Sequence, residues 1–377
     1  MKKHVVFLMG LFALVCLGLG QKVIENPKKP INKNAGRVIP LEAVLSIEDM
    51  GEDYYFRTPR NIKISPDGFI FIQDREQLLQ FNNQGEYIRN FLKKGKGPGE
   101  VEAVRNFCFY DGNLIVHDVR LNKILWFDMK GELTKEFRIL EPIGFANFVK
   151  YSDELYYYFK SSIPRVKGKP RVVDHPRNLV VYSQKKKKLR ELSSFPIKSF
   201  VAVSGGGAMG SIPINRLIAV PYKNFLFISH TPEYSIKVYD LKKEQAVRTI
   251  TREYKRQQTP PEVKGKLGGM LILNGKKYTR PPQKYLDDIK NLLVYDDKLW
   301  VVTSTIDSKK GVLMDVVDLE GNYLDNFYLK FPVIKTDDMH DVFYKFYSME
   351  LSKGAVYVAE QNEDGTNRIV KYAMVYQ

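Results

Sequence analysis

Six times along the chain a short polar turn leads into a run where apolar residues dominate or alternate with polar ones. The copies read Asp67-Gly68-Phe69-Ile70-Phe71-Ile72, Asp111-Gly112-Asn113-Leu114-Ile115-Val116, Ser152-Asp153-Glu154-Leu155-Tyr156-Tyr157, Lys223-Asn224-Phe225-Leu226-Phe227-Ile228, Asp296-Asp297-Lys298-Leu299-Trp300-Val301 and Lys353-Gly354-Ala355-Val356-Tyr357-Val358. A turn signal followed by a few β-branched or aromatic residues marks a hairpin and a strand rather than a helix. Another short strand precedes each copy, at residues 61–65, 106–110, 148–151, 217–220, 292–295 and 349–351. A third strand follows each, carrying in turn Phe81, Phe127, Tyr182, Tyr239, Val317 and Tyr372. Several third strands run into a fourth through a turn whose glycine (Gly85, Gly131 or Gly321) stands where a closing hairpin needs positive φ.

Four antiparallel strands per unit in six units predict an all-β chain folded as a six-bladed β-propeller. The third-strand positions lie 46, 55, 57, 78 and 55 residues apart, so loops are inserted between minimal blades. The longest is the Pro-, Lys- and Gly-rich inserted loop at residues 255–282. The sixth unit is short, because only five residues follow Tyr372. Residues 37–47 form an unpaired strand pattern ahead of the first blade and are expected to close blade six as its outer strand. Such closure removes the exposed sheet edge. The propeller thus spans residues 37–377, and the polar residues 21–36 are expected to be a flexible leader.

The first twenty residues differ in kind. Lys2 and Lys3 precede an apolar run from Val5 to Leu19, too short for a membrane span of about 20 residues. Gly18 and Gly20 supply small residues before Gln21. This reads as a cleavable signal peptide over residues 1–20, an exported protein (periplasm, cell surface or extracellular) and a mature chain without a transmembrane span. A lipid anchor through Cys16 is the alternative, opposed by the bulk of Val15. Cys16 leaves with the signal, so Cys108 remains alone and the exported fold is held without an internal disulfide. The apolar setting of Cys108 suits a small core residue.

The chain carries a formal charge of +16, of which Lys2 and Lys3 contribute two. The positive residues are scattered through loops, and export argues against a nucleic-acid partner. Acidic polysaccharide or lipid headgroups fit that charge better, and a solvated surface accounts for it more simply still. The ligand expected at the channel mouth is an anionic small molecule, a glycan or a protein segment. A monomer is expected.

Two phrases carry a family resemblance: Pro59-Arg60-Asn61-Ile62-Lys63-Ile64-Ser65-Pro66-Asp67-Gly68 and Gly95-Lys96-Gly97-Pro98-Gly99-Glu100. The chain resembles the six-bladed, NHL-like propellers exported by many Bacteroidota and related bacteria. The resemblance covers most of the mature chain and implies the same six-bladed fold, in a group mostly without assigned activity.

The sequence offers little catalytic chemistry. Residues 95–100 lack phosphate-loop spacing. Residues 205–211 are Gly-rich and are expected to be a flexible rim loop. His117, His175, His230 and His340 form no zinc spacing, although His117 and His230 end equivalent strands one register apart. No nucleophile elbow is present. The best site candidates stand at the starts of the innermost strands: Arg60, Asn61, Arg105, Asn106, Asn147, Arg216, Lys290 and Asn291. In a propeller these starts ring one mouth of the central channel, where amides and cationic forks suit a carboxylate, phosphate or sulfate. The same asparagines could instead cap strand entries, and the arginines could pack between blades.

That ring also tests an enzyme. Lactonases on six-bladed propellers hold an axial calcium, which demands anionic oxygen ligands, and here arginines would oppose it. A copper- or zinc-dependent lyase on an NHL propeller would need several axial histidines. The reading is therefore a binding or interaction module with no cofactor and no metal. A metal-dependent hydrolase or lyase on the same scaffold is the alternative.

Overall fold

The computed structural model describes residues 21–51, 53–140, 146–152, 154–204, 207, 209–261, 270–332 and 345–376. The signal segment with Cys16 lies outside them. The chain is a ring of six antiparallel blades. The innermost strands are Arg60–Ile64, Val104–Tyr110, Ala146–Ser152, Ile218–Tyr222, Ile289–Tyr295 and Glu350–Ser352. The inner strands of blades two to six lie against their neighbours around the axis, and the last lies against the first.

The turn chemistry explains the repeat. The hairpin joining the first two strands puts both central residues at positive φ in three blades: Asp111 and Gly112 (46° and 67°), Asp296 and Asp297 (both 51°), Lys353 and Gly354 (48° and 74°). This is the type I′ geometry whose twist matches the flanking strands, and Asp and Gly tolerate it best. The later turn glycines have a further duty. At Gly85 (φ 84°) a Cβ would stand 2.8 Å from Leu45, and at Gly321 (φ 107°) 2.7 Å from Ile24. Each turn is pressed against the outer strand of the preceding blade, leaving no room for a side chain.

Alternation along each strand sends successive side chains to opposite neighbours. The result is six separate apolar cores, one at each blade-to-blade interface. Ile72, Leu79 and Phe81 meet Tyr357, Ala359 and Ile369 where blade one adjoins blade six. Each fully buried aliphatic or aromatic side chain there contributes about 1.5–3 kcal/mol. Cys108 packs at the edge of the core between blades two and three, and burial pushes its thiol up to about 11.

The N-terminal segment closes the ring in two steps. In the strand Arg37–Ile47, residues 41–47 pair antiparallel with Asn367–Met374 and complete blade six. Residues 37–40 instead pair parallel with Tyr323–Lys330, the outer strand of blade five. One strand thus bridges two blades.

Three segments differ from the sequence reading. Residues 21–36 are not a loose leader. Lys22–Asn26 adds in parallel to Gln245–Arg252 of blade four. The Asn26 amide then donates to the Gly321 carbonyl (2.9 Å), and Ile31, Asn32 and Gly36 donate backbone N–H groups along blade five. The available backbone edge of blade four, not side-chain pattern, recruits this polar stretch. Within residues 205–211, Gly210 and Ser211 belong to a strand, Met209–Pro213, paired with Lys188–Val203, because blade three extends past the ring. Gly205, Gly206 and Ala208 lie outside the described residues. The insertion at 255–282 contains a hairpin, Met270–Leu273 with Lys276–Thr279, whose Leu271 and Leu273 rest over Gly210. The Arg280 guanidinium pins it by donating to the carbonyls of Pro213 (2.6 Å) and Ile214 (3.3 Å). No helix among the described residues is long and apolar enough to cross a membrane.

Candidate functional site

The inner strands begin at one mouth of the axis, and there a basin of about 660 Å³ opens. Arg60, Arg75, Arg120, Arg177 and Arg216 line it, together with Glu76, Glu102, Asn61 and Asn106. Arg60 begins the inner strand of blade one, and Arg216 stands two residues before that of blade four. Arg75 and Arg120 come from the turns that follow the second strands of blades one and two. Arg177 comes from the long third strand of blade three.

Buried aspartates aim those turns. Asp118, fully buried, accepts backbone N–H groups from Glu102, Ala103 (3.4 Å), Arg120 (2.8 Å) and Leu121 (2.9 Å). Asp74 holds the equivalent entry of blade one through the N–H groups of Arg57 and Thr58. Burial pushes the Asp74 carboxyl up, while those two N–H donors pull it down. The side chains of Arg60, Arg75 and Arg120 are exposed and have no hydrogen-bond or ion-pair partner among the described residues. Arg216 lies over the Tyr347 ring, 3.5 Å from its centroid, as a stacked cation. Beside it burial raises the Asp287 carboxyl, opposed by Lys290, Arg280 and Arg216.

The basin continues inward. The axial channel, about 420 Å³, shares Asn61, Asn106 and Leu217 with it. Counted from the hairpins, Cys108, Lys150, Val220, Leu293 and Glu350 hold the same pairing position in the inner strands of blades two to six, and Lys63 of blade one comes to Glu350. Glu350 is the one carboxylic acid among the described channel-lining residues. Burial drives its carboxyl up to about 7, and only Lys63 pulls it back.

The sequence candidates divide sharply. Arg60 and Arg216 line the basin. The asparagines also stand at the channel, but their amides are committed inside the protein. Asn106 donates to the Phe148 carbonyl of the next blade (2.9 Å) and accepts from the Phe107 N–H (2.9 Å). Asn291 does the same with Phe346 and Leu292 (both 2.9 Å). Asn61, held at φ 48°, donates to Gln73, which in turn donates to the Val104 carbonyl. These hydrogen bonds staple blade to blade, the assembly role that the sequence also offered for the asparagines. Lys290 is only 5% exposed and lies by Asp287, and it is not among the lining residues of basin or channel. The side chains of Arg105 and Asn147 lie outside the described ones.

Sequence reasoning missed Arg75, Arg120, Arg177, Lys63 and Glu350. A signal existed for two: Arg75 and Arg120 each follow a strand-end aspartate, Asp74 and Asp118. The described histidines do not converge on the axis. His117 is buried against Tyr158 between blades two and three, and burial lowers its imidazole to about 4. His175 bonds Ser199 (2.8 Å), and His230 packs on Phe195. His340 lies outside the described residues. Among the described residues no group of three or more His, Cys, Asp or Glu is placed to hold a metal ion.

Comparison with known proteins gives the same architecture. The model of the family DUF5128, described as a 6-bladed beta-propeller, matches residues 49–265. A Bacteroides fragilis protein classed as exported is 11% identical, with 94% of this chain and 100% of that chain covered at a TM-score of 0.51. A DUF4221 member from Bacteroides vulgatus is 12% identical, covering 90% and 99% at a TM-score of 0.53. A gluconolactonase from Xanthomonas campestris is 10% identical over 90% and 98%, but its TM-score of 0.43 is too low to bear on the site. No curated protein matches.

Proposed function

The chain belongs to the DUF5128 family of six-bladed β-propellers, and from that scaffold we propose that it is an exported binding module for an anionic ligand. The ligand is a small molecule, glycan or peptide presenting a carboxylate, phosphate or sulfate to the basin. The observation that carries this reading is the crowding of five arginines around one concave mouth with only two carboxylates among them. Guanidinium groups present paired N–H donors that match carboxylate, phosphate and sulfate oxygens in bidentate geometry. Like charges gathered around one mouth repel each other, and a bound anion relieves that repulsion. The basin therefore gains from a ligand what a solvated surface patch would not. No cofactor or metal enters this reading.

The test is calorimetric titration of the full mature chain with sodium sulfate and with a sulfated oligosaccharide at low salt. Binding is expected, and the double variant Arg60→Gln/Arg216→Gln weakens it at least about tenfold, or roughly 1.4 kcal/mol, without lowering the unfolding midpoint. Absent binding, or binding indifferent to the double variant, overturns the proposal. Stoichiometric calcium, zinc or copper in the purified protein would point instead to metal-dependent chemistry.

A further inference from the structure

We propose that anion binding at the arginine-lined mouth is coupled to proton uptake by Glu350 on the channel wall. The protein then grips its ligand more tightly in mildly acidic than in mildly alkaline surroundings. This rests on the anion-binding reading of the basin and adds its regulation.

The geometry is a continuous space. Basin and channel share Asn61, Asn106 and Leu217, so charge placed in one is felt in the other through a confined, partly desolvated path. Glu350 begins the inner strand of blade six and faces that path. Its carboxyl has no hydrogen-bond donor among the described residues. Lys63 comes to it from blade one and also lies over the Phe107 ring (5.5 Å). At the same level stand Cys108 from blade two and Lys150 from blade three, whose ammonium is turned to the Lys223 carbonyl. On its own blade Glu350 pairs across to Tyr357, whose ring carries Lys371 (5.7 Å), and Tyr347 and Tyr222 complete the polar wall. Among the described residues no basic group forms a direct ion pair with Glu350, so little offsets the burial that pushes its carboxyl up to about 7.

The sign follows. Below about pH 7 the carboxyl is neutral, and the cations at the mouth act on an anion without opposition from Glu350. Above it, the negative charge of Glu350 repels the ligand. Linkage is reciprocal, so a bound anion raises the Glu350 pKa further and draws in a fraction of a proton near neutrality.

Sulfate is the suitable probe because its charge is constant from pH 5.5 to 8.5, whereas phosphate titrates near 7. Calorimetry at constant ionic strength should show affinity falling roughly three- to tenfold between those limits. At pH 7, two buffers of different ionisation enthalpy should reveal proton uptake. Glu350→Gln should flatten the profile at the acid-limb affinity. Lys63→Met, which removes the group that lowers the pKa, should move the midpoint to higher pH; a merely structural role for Glu350 would not predict this shift. Sulfate binding that depends on Arg60 and Arg216 yet is flat with pH overturns the proton link alone. So does a Glu350→Gln variant that keeps the wild-type profile, or, should that variant not fold, an unmoved midpoint in Lys63→Met. Absence of sulfate binding at every pH overturns both the link and the basin.

Discussion

Two kinds of polar side chain surround the same mouth, and they differ in what their hydrogen bonds do. Asn106, Asn291, Asp74 and Asp118 turn theirs inward, onto the backbone of their own or the next blade. Arg60, Arg75 and Arg120 stand beside them with no internal partner among the described residues. The asparagine and aspartate set does the work of assembly, because a buried amide or carboxylate without partners would be costly. The arginine set is left with donor capacity facing a concave space. Residue type alone cannot separate the two roles, since both sets look like ligand-binding chemistry in sequence. The separation lies in which donors are already satisfied.

Breaking the assembly set should therefore cost stability. The largest effect is expected at Asp118. Asp118→Ala strips the acceptor from backbone N–H groups of Glu102, Arg120 and Leu121 in a fully buried site. A loss of about 2–4 kcal/mol is expected, read as a lowered urea midpoint at unchanged m-value. If the midpoint barely moves, the aspartate is not an assembly element and the division above fails. Asn291→Ala should lose less, about 1 kcal/mol, because one inter-blade bond to Phe346 and one local bond to Leu292 vanish together. Sulfate affinity should stay within about twofold in that variant; a larger loss would return Asn291 to the ligand set.

The fold was legible because its signals are local and repeated. The paired turn and strand, Asp111-Gly112 before Leu114 or Asp296-Asp297 before Leu299, is set by φ requirements and side-chain alternation, and both are written in consecutive residues. Six copies predict six blades. The N-terminal strand Lys22–Asn26 was not legible, since a strand added at an edge is held by backbone pairing with Arg248–Arg252 and needs no pattern of its own. At the mouth, Arg60 and Arg216 could be placed from the start of the inner strand. Arg75 and Arg120 carried a weaker signal, the strand-end aspartates Asp74 and Asp118 ahead of them, and Arg177 carried none, because it reaches the basin from a third-strand position. Glu350 was hidden for another reason. It is the second residue after a strand-entry pair, Tyr347-Ser348, and only the register across blades one and six sets it beside Lys63.

Arg120 sharpens the comparison most, because it belongs to both sets at once. Its backbone N–H is held by Asp118 at 2.8 Å, while its guanidinium lines the basin. Arg120→Gln keeps the first and removes the second. The backbone bond does not depend on the side chain, and an exposed cation without an ion pair contributes little to folding. Stability should therefore change by less than about 0.5 kcal/mol. Relief of crowding among the neighbouring arginines could even raise it slightly, by the same electrostatics that favours a bound anion. Sulfate affinity should fall only about two- to threefold, since one of five guanidinium groups is removed and the others can still close on the anion. Calorimetric titration read beside a urea melt of the same sample separates the two effects. A stability loss near that of Asp118→Ala would assign the Arg120 side chain to assembly. A melt and an affinity both equal to wild type would place it outside either set and shrink the basin to its remaining arginines.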